Sequence, residues 1–263
     1  MIREWAGILR RNTKIASSAA VLSFVALASA SLPAREPKAS DFFPLTVGTY
    51  WVYQGSVTWF DQDKNAEEKK EVSLTMSVEK VFRKGDTIFA VIDGFPSDLN
   101  FSTGEVKPSR WVMIETENGK NEVFLHDLDP GVSLPATDDA NPGPVLDSMM
   151  TDDNLLLEWP MARGNRFCDA DSQKRDDAMY CWIVESSDRK ATKSLNGGAR
   201  GESVPVFTLA YRTNPDDTQI EVAPGIGIVS YRYHHHGTTA DTDLKLSEFH
   251  PATEKAAALN PPQ

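Results

Sequence analysis

The chain has 263 residues and a formal net charge of −11, with 38 acidic against 27 basic side chains. This balance argues against nucleic acid and against anionic membrane surfaces as partners, because both bind clustered Lys and Arg. A chain of this length can bury a core of its own, as one large domain or as two small ones.

The first thirty residues have the pattern of an export signal. A basic start is followed by an apolar run over 15–27 and by the small residues Ala28-Ser29-Ala30. We predict a signal peptide over 1–30 and a periplasmic or secreted protein without an integral membrane segment; an uncleaved N-terminal anchor is the alternative. Because this segment carries three net positive charges, the remaining chain has a net charge of −14.

Period-two alternation of apolar and polar residues dominates the part that follows. Residues 31–41 are polar and contain two prolines, so we predict a flexible tether there. A charged loop is predicted over 61–70, and Asn118-Gly119 is a favoured hairpin turn. The strands predicted in this part are 49–60, 72–79, 88–92, 111–116 and 121–126.

A Pro- and Asp-rich stretch over 127–148 is the best internal boundary of the sequence, and a short helix is predicted over 149–157. We therefore predict a single β domain over 42–250, with related halves 42–126 and 155–250 joined by the connection 127–154. The later strands are predicted over 180–185, over 204–212 and in three segments of 220–249, before a disordered tail over 251–263.

The sequence contains two cysteines, Cys168 and Cys181. An even count in an exported chain predicts a disulfide bond. The spacing is not that of a C-x-x-C redox pair, so the predicted role is structural.

The last predicted hairpin carries a candidate metal site. His234 and His236 share one face of a strand, and Asp241 and Asp243 follow on the strand that returns. If His236 pairs with Asp241, then His234 faces Asp243. Two imidazoles and two carboxylates can bind a divalent ion, with Zn²⁺ the natural choice. The alternative is an exposed polar hairpin end, whose mobility does not suit a metal.

Common catalytic signatures are missing from the sequence, including G-x-S-x-G, H-E-x-x-H, the Walker loop and G-x-G-x-x-G. The stretch Asp61-x-Asp63-x-Asn65 begins like a calcium loop, but Ala66 and Val72 replace its required Gly and Glu. We therefore expect a non-catalytic protein without a resident cofactor, unless the histidine hairpin binds Zn²⁺.

A short motif occurs twice. Pro44-Leu45-x-x-Gly48-x-x-Trp51 is echoed 116 residues later by Pro160-Met161-x-x-Gly164-x-x-Phe167. The repetition indicates either two related halves or a common way to enter a strand. The chain resembles a loose group of exported bacterial β-proteins without assigned function in two motifs. One is F-P-L-x-x-G-x-x-W-x-Y, which extends the first copy, and the other is a late A-P-G-x-G-x-V over 223–229. Some members are lipid-anchored, but this chain lacks the lipid-attachment Cys. The resemblance implies the fold class and the compartment, and no activity.

We therefore predict an all-β fold, an antiparallel curved sheet forming a barrel or half-barrel, with a two-sheet sandwich as the alternative. The predicted function is that of an exported, non-catalytic scaffold that binds a small apolar or amphipathic ligand. Two alternatives stay open, an envelope structural or assembly protein acting through its surface and a metal-binding protein or metalloenzyme using the His234/His236 face. Aromatic residues that could line a sugar or lipid site, or else pack in the core, are Trp51, Tyr53, Trp59, Trp111 and Trp182.

Overall fold

The computed structural model describes residues 42–117, 120–134, 143–191, 203–236 and 240–252. They form a 12-stranded antiparallel sheet that curls until its two edge strands approach each other. The predicted all-β fold is confirmed, as a nearly closed barrel-like sheet rather than a sandwich. Four predicted segments lie outside the described residues: the signal peptide, the tether, the Asn118-Gly119 turn and the tail from residue 253.

Six strands follow one another as neighbours in the first part of the sheet. They are β1 (Tyr50–Asp61), β2 (Ala66–Lys84), β3 (Thr87–Asp93), β4 (Arg110–Thr116), β5 (Glu122–Asp127) and β6 (Leu155–Glu158). A short helix, α1 (Gly143–Asp147), lies between β5 and β6. Within the described ranges, no helix has the length and apolar character needed to cross a membrane.

The second part of the sheet repeats this arrangement. Its strands are β7 (Arg166–Phe167), β8 (Trp182–Ala191), β9 (Ser203–Arg212), β10 (Asp216–Ala223), β11 (Gly227–His235) and β12 (Ala240–His250). β12 pairs with β1 and joins the two parts, so the edges of the sheet are β6 and β7. Each part is therefore a six-stranded meander.

The two motif copies have the same backbone geometry. Gly48 and Gly164 have φ angles of 88° and 89°. The Gly48 N–H donates to the carbonyl of Val78 at 3.0 Å, and the Gly164 N–H donates to that of Val184 at 2.8 Å. A register shift follows each of these two valines, in β2 and in β8. The motif thus starts each meander in the same way.

Two local predictions are wrong. The charged loop over 61–70 is mostly strand, because β2 begins at Ala66. The helix over 149–157 is instead a 3-10 turn, Asp152–Asn154, followed by β6. Here Asn154 donates to the carbonyl of Met149 at 2.9 Å, and the three leucines after it are buried in the sheet. A short apolar run of this kind suits a buried strand as well as a helix.

The register predicted for the last hairpin, with His236 opposite Asp241, is wrong by two residues. Tyr231 and Leu246 are buried. Tyr231 pairs with Leu244, and Arg232 pairs with Asp243. A shift of two residues leaves every side chain on its predicted face, so the alternation cannot distinguish the two registers. The observed one places opposite charges across the strands.

Aromatic side chains fill one end of the barrel. The Trp51 indole N–H donates to the carbonyl of Ile226 at 2.5 Å, and the Tyr53 hydroxyl donates to that of Ile228 at 3.0 Å. Burial raises the pKa of the Tyr53 hydroxyl well above its usual range, so this group stays a donor. Phe42 and Phe43 are buried as well. These residues form a packed core rather than a ligand site.

Candidate functional site

The sheet is open along one line, the gap between β6 and β7, which we call the seam. On the other side of the barrel, β1 and β12 pair from Tyr50 to Trp59, with one register shift between Val52 and Tyr53. β6 has four residues and β7 has two, and the two strands are the ends of the sheet order in the described part of the chain. The seam is thus where the interior is accessible between strands.

A cavity with a volume of about 430 Å³ lies at this seam. We call it the seam cavity. Its polar side is formed by Asp152 and Asp153, in the turn before β6, and by Asp169 beyond β7. Its aromatic side includes Trp182, at the start of β8, and Tyr211, near the end of β9. These elements meet because β6 and β8 begin at the end of the sheet where β7 and β9 end.

The loop between β7 and β8 forms one wall of the seam cavity. Cys168 and Cys181 are at disulfide-bonding distance, as predicted, and close this loop. The Asp169 carboxylate accepts backbone N–H bonds from Asp171 and Ser172 at 2.8 and 3.0 Å. Hydrogen bonds from Ser172 lower the pKa of the Asp169 carboxyl group; the side-chain bond has the largest effect and the backbone N–H bond the next. Asp169 therefore carries a negative charge at the cavity.

Tyr180 joins this wall in a strained backbone conformation, with a φ of 64°. Its N–H donates to the carbonyl of Arg212 at 2.7 Å, which ties the end of the loop to β9. The Arg175 guanidinium lies 5.2 Å from the centre of the Tyr180 ring. This ring therefore already contacts a cation.

The seam cavity is negatively charged. Asp152 and Asp153 are exposed and have no ion-pair partner among the described residues. Burial raises the pKa of the Tyr211 hydroxyl, and the charges of Tyr180, Asp153 and Asp169 raise it further.

A second cavity, which we call the inner cavity, lies deeper in the barrel and has a volume of about 190 Å³. Its walls are mainly apolar and come from opposite sides of the sheet: Phe95, Trp111, Leu125, Leu156, Ile220 and Tyr231. Trp182 lines both the inner cavity and the seam cavity. Burial raises the pKa of the Tyr231 hydroxyl, so it faces the cavity as a neutral group.

Asp98 organises the loop between β3 and β4, beside the inner cavity. Its carboxylate accepts hydrogen bonds from the Trp111 indole at 3.0 Å and from the Ser109 hydroxyl at 2.6 Å. The Phe95 N–H donates to the same carboxylate at 2.9 Å. Asp98 thus holds the Trp111 indole directly and binds the backbone of Phe95 beside it.

The same loop contacts the end of the last hairpin. The Phe101 ring lies 5.2 Å from the rings of both Tyr233 and His235. Tyr233 donates to Asp216 at 2.7 Å, and His235 Nδ1 lies 2.6 Å from the same oxygen. Burial opposes ionisation of Asp216, but these hydrogen bonds outweigh it and lower the pKa of this carboxyl group.

The four predicted metal ligands lie on the outer face of the last hairpin. His234 pairs with Asp241, with Nδ1 2.5 Å from Oδ1, and the His234 and His236 rings are 4.5 Å apart, edge to face. Asp243 pairs with Arg232 instead of a histidine. In the described ranges, no three His, Cys, Asp or Glu side chains are placed to hold one ion. The Zn²⁺ site stays a prediction.

Sequence patterns indicated part of this site. Trp111 and Trp182 were candidates for a ligand site, and both line the inner cavity. Asp152, Asp153 and Tyr211 were not candidates, because only the seam brings them together. The available signal in the sequence was the acidic pair Asp152-Asp153, shortly before three leucines. The helix predicted over 149–157 placed this pair inside a helix instead of at the start of a strand.

Comparison with known proteins adds little. No family model and no curated protein matches the chain. One similar structure is a candidate exported protein with a YmcC-like fold from Bacteroides fragilis NCTC 9343, with 13% identity, a TM-score of 0.38, and coverage of 80% of this chain and 98% of that one. Another is a candidate lipoprotein from Parabacteroides distasonis ATCC 8503, with 12% identity, a TM-score of 0.36, and coverage of 80% and 99%. These values support no statement about the function of this chain.

Proposed function

We propose that this protein is an exported, non-catalytic binding protein that holds a small amphipathic ligand in the barrel. The observation that carries the proposal is the shared wall of the two cavities, Trp182. An apolar inner cavity lies directly beside a polar cavity that opens at the seam. A ligand with one apolar part and one polar part fits this arrangement.

The dimensions support binding of a small molecule. The two cavities, of about 430 and 190 Å³, together fall within the range of ligand sites, roughly 300–1,000 Å³. The walls are large side chains on strands and on a loop fixed by Asp98. Such a site is formed before the ligand arrives, which lowers the entropic cost of binding.

Export is supported by the chain itself. The first thirty residues have a basic start, an apolar run and a small-residue end. Cys168 and Cys181 are at disulfide-bonding distance, which is typical of oxidising compartments. Both features favour a periplasmic or secreted location.

A role through the outer surface is the second candidate function. The edges of β6 and β7 favour it, because neither is paired with another strand in the described part of the chain, and a free edge can accept a strand from another protein. Large apolar side chains that are well exposed in the described residues are Phe60, Val145 and Tyr180. They lie on different elements, so we place ligand binding first.

A cavity-filling variant tests the proposal. The neutral probe 1-N-phenylnaphthylamine fluoresces in apolar sites, and we expect saturable binding to the wild-type protein. Leu125→Trp fills the inner cavity and should weaken binding at least about tenfold. Lys245→Trp adds the same side chain at an exposed position of β12 and should bind like wild type. Equal binding by all three proteins would overturn the proposal.

Native mass spectrometry of the protein purified from the cells that make it complements this titration. A copurified small molecule of amphipathic character is the expected result. A protein free of small molecules but associated with another polypeptide would favour the surface role instead.

A further inference from the structure

We propose that the polar part of the ligand is a cationic head group, held in the seam cavity between the carboxylates of Asp152 and Asp153 and the rings of Trp182 and Tyr211. This inference rests on the proposed function, because it assigns the chemical class of the ligand that the two cavities hold.

Charge is the first argument. The residues that line the seam cavity include three carboxylates and, among the described residues, no Lys, Arg or His. Asp152 and Asp153 make no ion pair with a described residue, whereas other carboxylates nearby do. An anionic head group would be repelled at this position, and a cation would supply the missing counter-charge.

Ring geometry is the second argument. The Trp182 and Tyr211 rings are 5.3 Å apart between centroids and inclined by 42°. The two rings pack against each other on one side of the seam cavity, and the electron-rich face of Trp or Tyr attracts a cation within about 6 Å. The neighbouring Tyr180 ring already contacts the Arg175 guanidinium at 5.2 Å. Aromatic rings beside carboxylates are the usual surroundings of a quaternary ammonium group.

The position of the inner cavity is the third argument. Trp182 lines both cavities, so a head group against this ring lies beside the cavity that Leu156 and Ile220 line. A chain of about six to eight carbons matches the inner cavity of about 190 Å³, since each buried methylene occupies on the order of 25–30 Å³ in a close-packed interior. The fitting ligand is therefore a short cationic amphiphile.

A neutral sugar head group is the competing ligand, because carboxylates and aromatic rings also bind sugars. The unpaired charges of Asp152 and Asp153 favour the cation, since a neutral head group would leave them without a counter-ion. Three amphiphiles with the same tail separate these classes: octyltrimethylammonium, octyl glucoside and octyl sulfate, each titrated calorimetrically below its micellar concentration.

We expect octyltrimethylammonium to bind about tenfold more tightly than octyl glucoside, and octyl sulfate to bind most weakly. The isosteric double variant Asp152→Asn/Asp153→Asn should lose this preference while its affinity for octyl glucoside is unchanged. Asp176→Asn removes a charge from an exposed position of the loop that Cys168 and Cys181 close, outside the cavity lining, and is the control. It should behave like wild type.

The outcomes separate the two proposals. Equal binding of the cationic and neutral compounds, or an unchanged preference in the double variant, would overturn the cationic head group and leave the binding function in place. Tighter binding of octyl sulfate would overturn it as well. Failure of all three compounds and of the neutral probe to bind would overturn the proposed function itself.

Discussion

Replacement of Gly55 by alanine tests the junction that joins the two meanders. Gly55 lies on β1 opposite Leu244 of β12. A Cβ atom at this position would lie 1.8 Å from the carbonyl oxygen of Asp243 and 3.0 Å from the Cα of Leu244. Both contacts are with backbone atoms, so no side-chain rotation can relieve them, and the two strands must separate.

Such overpacking typically costs about 1–3 kcal/mol, and we expect the upper end because backbone must move. For a domain of about 200 residues, 3 kcal/mol lowers Tm by roughly 6–12 °C. Urea unfolding followed by circular dichroism measures the free energy of unfolding. Gly131→Ala is the matched control, since a Cβ there meets no atom within 4 Å. If both variants unfold like wild type, then β1 and β12 do not approach each other as described.

Three further predictions concern the loop, the hairpin and the metal. Cys168→Ser/Cys181→Ser should lower the free energy of unfolding by up to about 3 kcal/mol, because the crosslink that closes the loop is lost. The same variant should bind ligand more weakly, because this loop forms a wall of the seam cavity. Unchanged affinity would show that the loop is not part of the site. Because the pKa of Asp216 is lowered on folding, its stabilising effect is present above about pH 4 and is lost as the pH falls through the lowered pKa. Asp216→Asn should therefore cost about 1 kcal/mol at pH 7, after allowance for solvent screening, and progressively less in acid; a pH-independent difference in urea unfolding would contradict this. If His234 and His236 bind Zn²⁺, calorimetry should show micromolar affinity that His234→Ala abolishes; absence of heat with the wild-type protein would reject the site.

The sheet was predictable because its strands follow period two. Val72, Leu74, Met76 and Val78 alternate with polar residues, and this pattern continues as strand in the structure. The register of the last hairpin was not predictable from the same pattern, since pairing His234 with Asp241 or with Asp243 leaves both faces unchanged.

The candidate site was less predictable than the fold. It depends on the approach of two edge strands that are far apart in sequence, β6 and β7. Leu155, Leu156 and Leu157 have no alternation, so the pattern did not distinguish a buried strand from a helix. The position of Asp152 and Asp153 opposite Tyr211 follows from the closure of the barrel, which no local pattern encodes.

Nuclear magnetic resonance of the tryptophan indole N–H groups during titration with octyltrimethylammonium shows whether the ligand binds beside Trp182. We expect the resonances of Trp182 and Trp111 to shift with ligand concentration. The resonance of Trp51, whose indole is buried and bonded to Ile226 in the filled end of the barrel, should not move. An unchanged Trp182 resonance at saturating ligand would contradict binding at the seam.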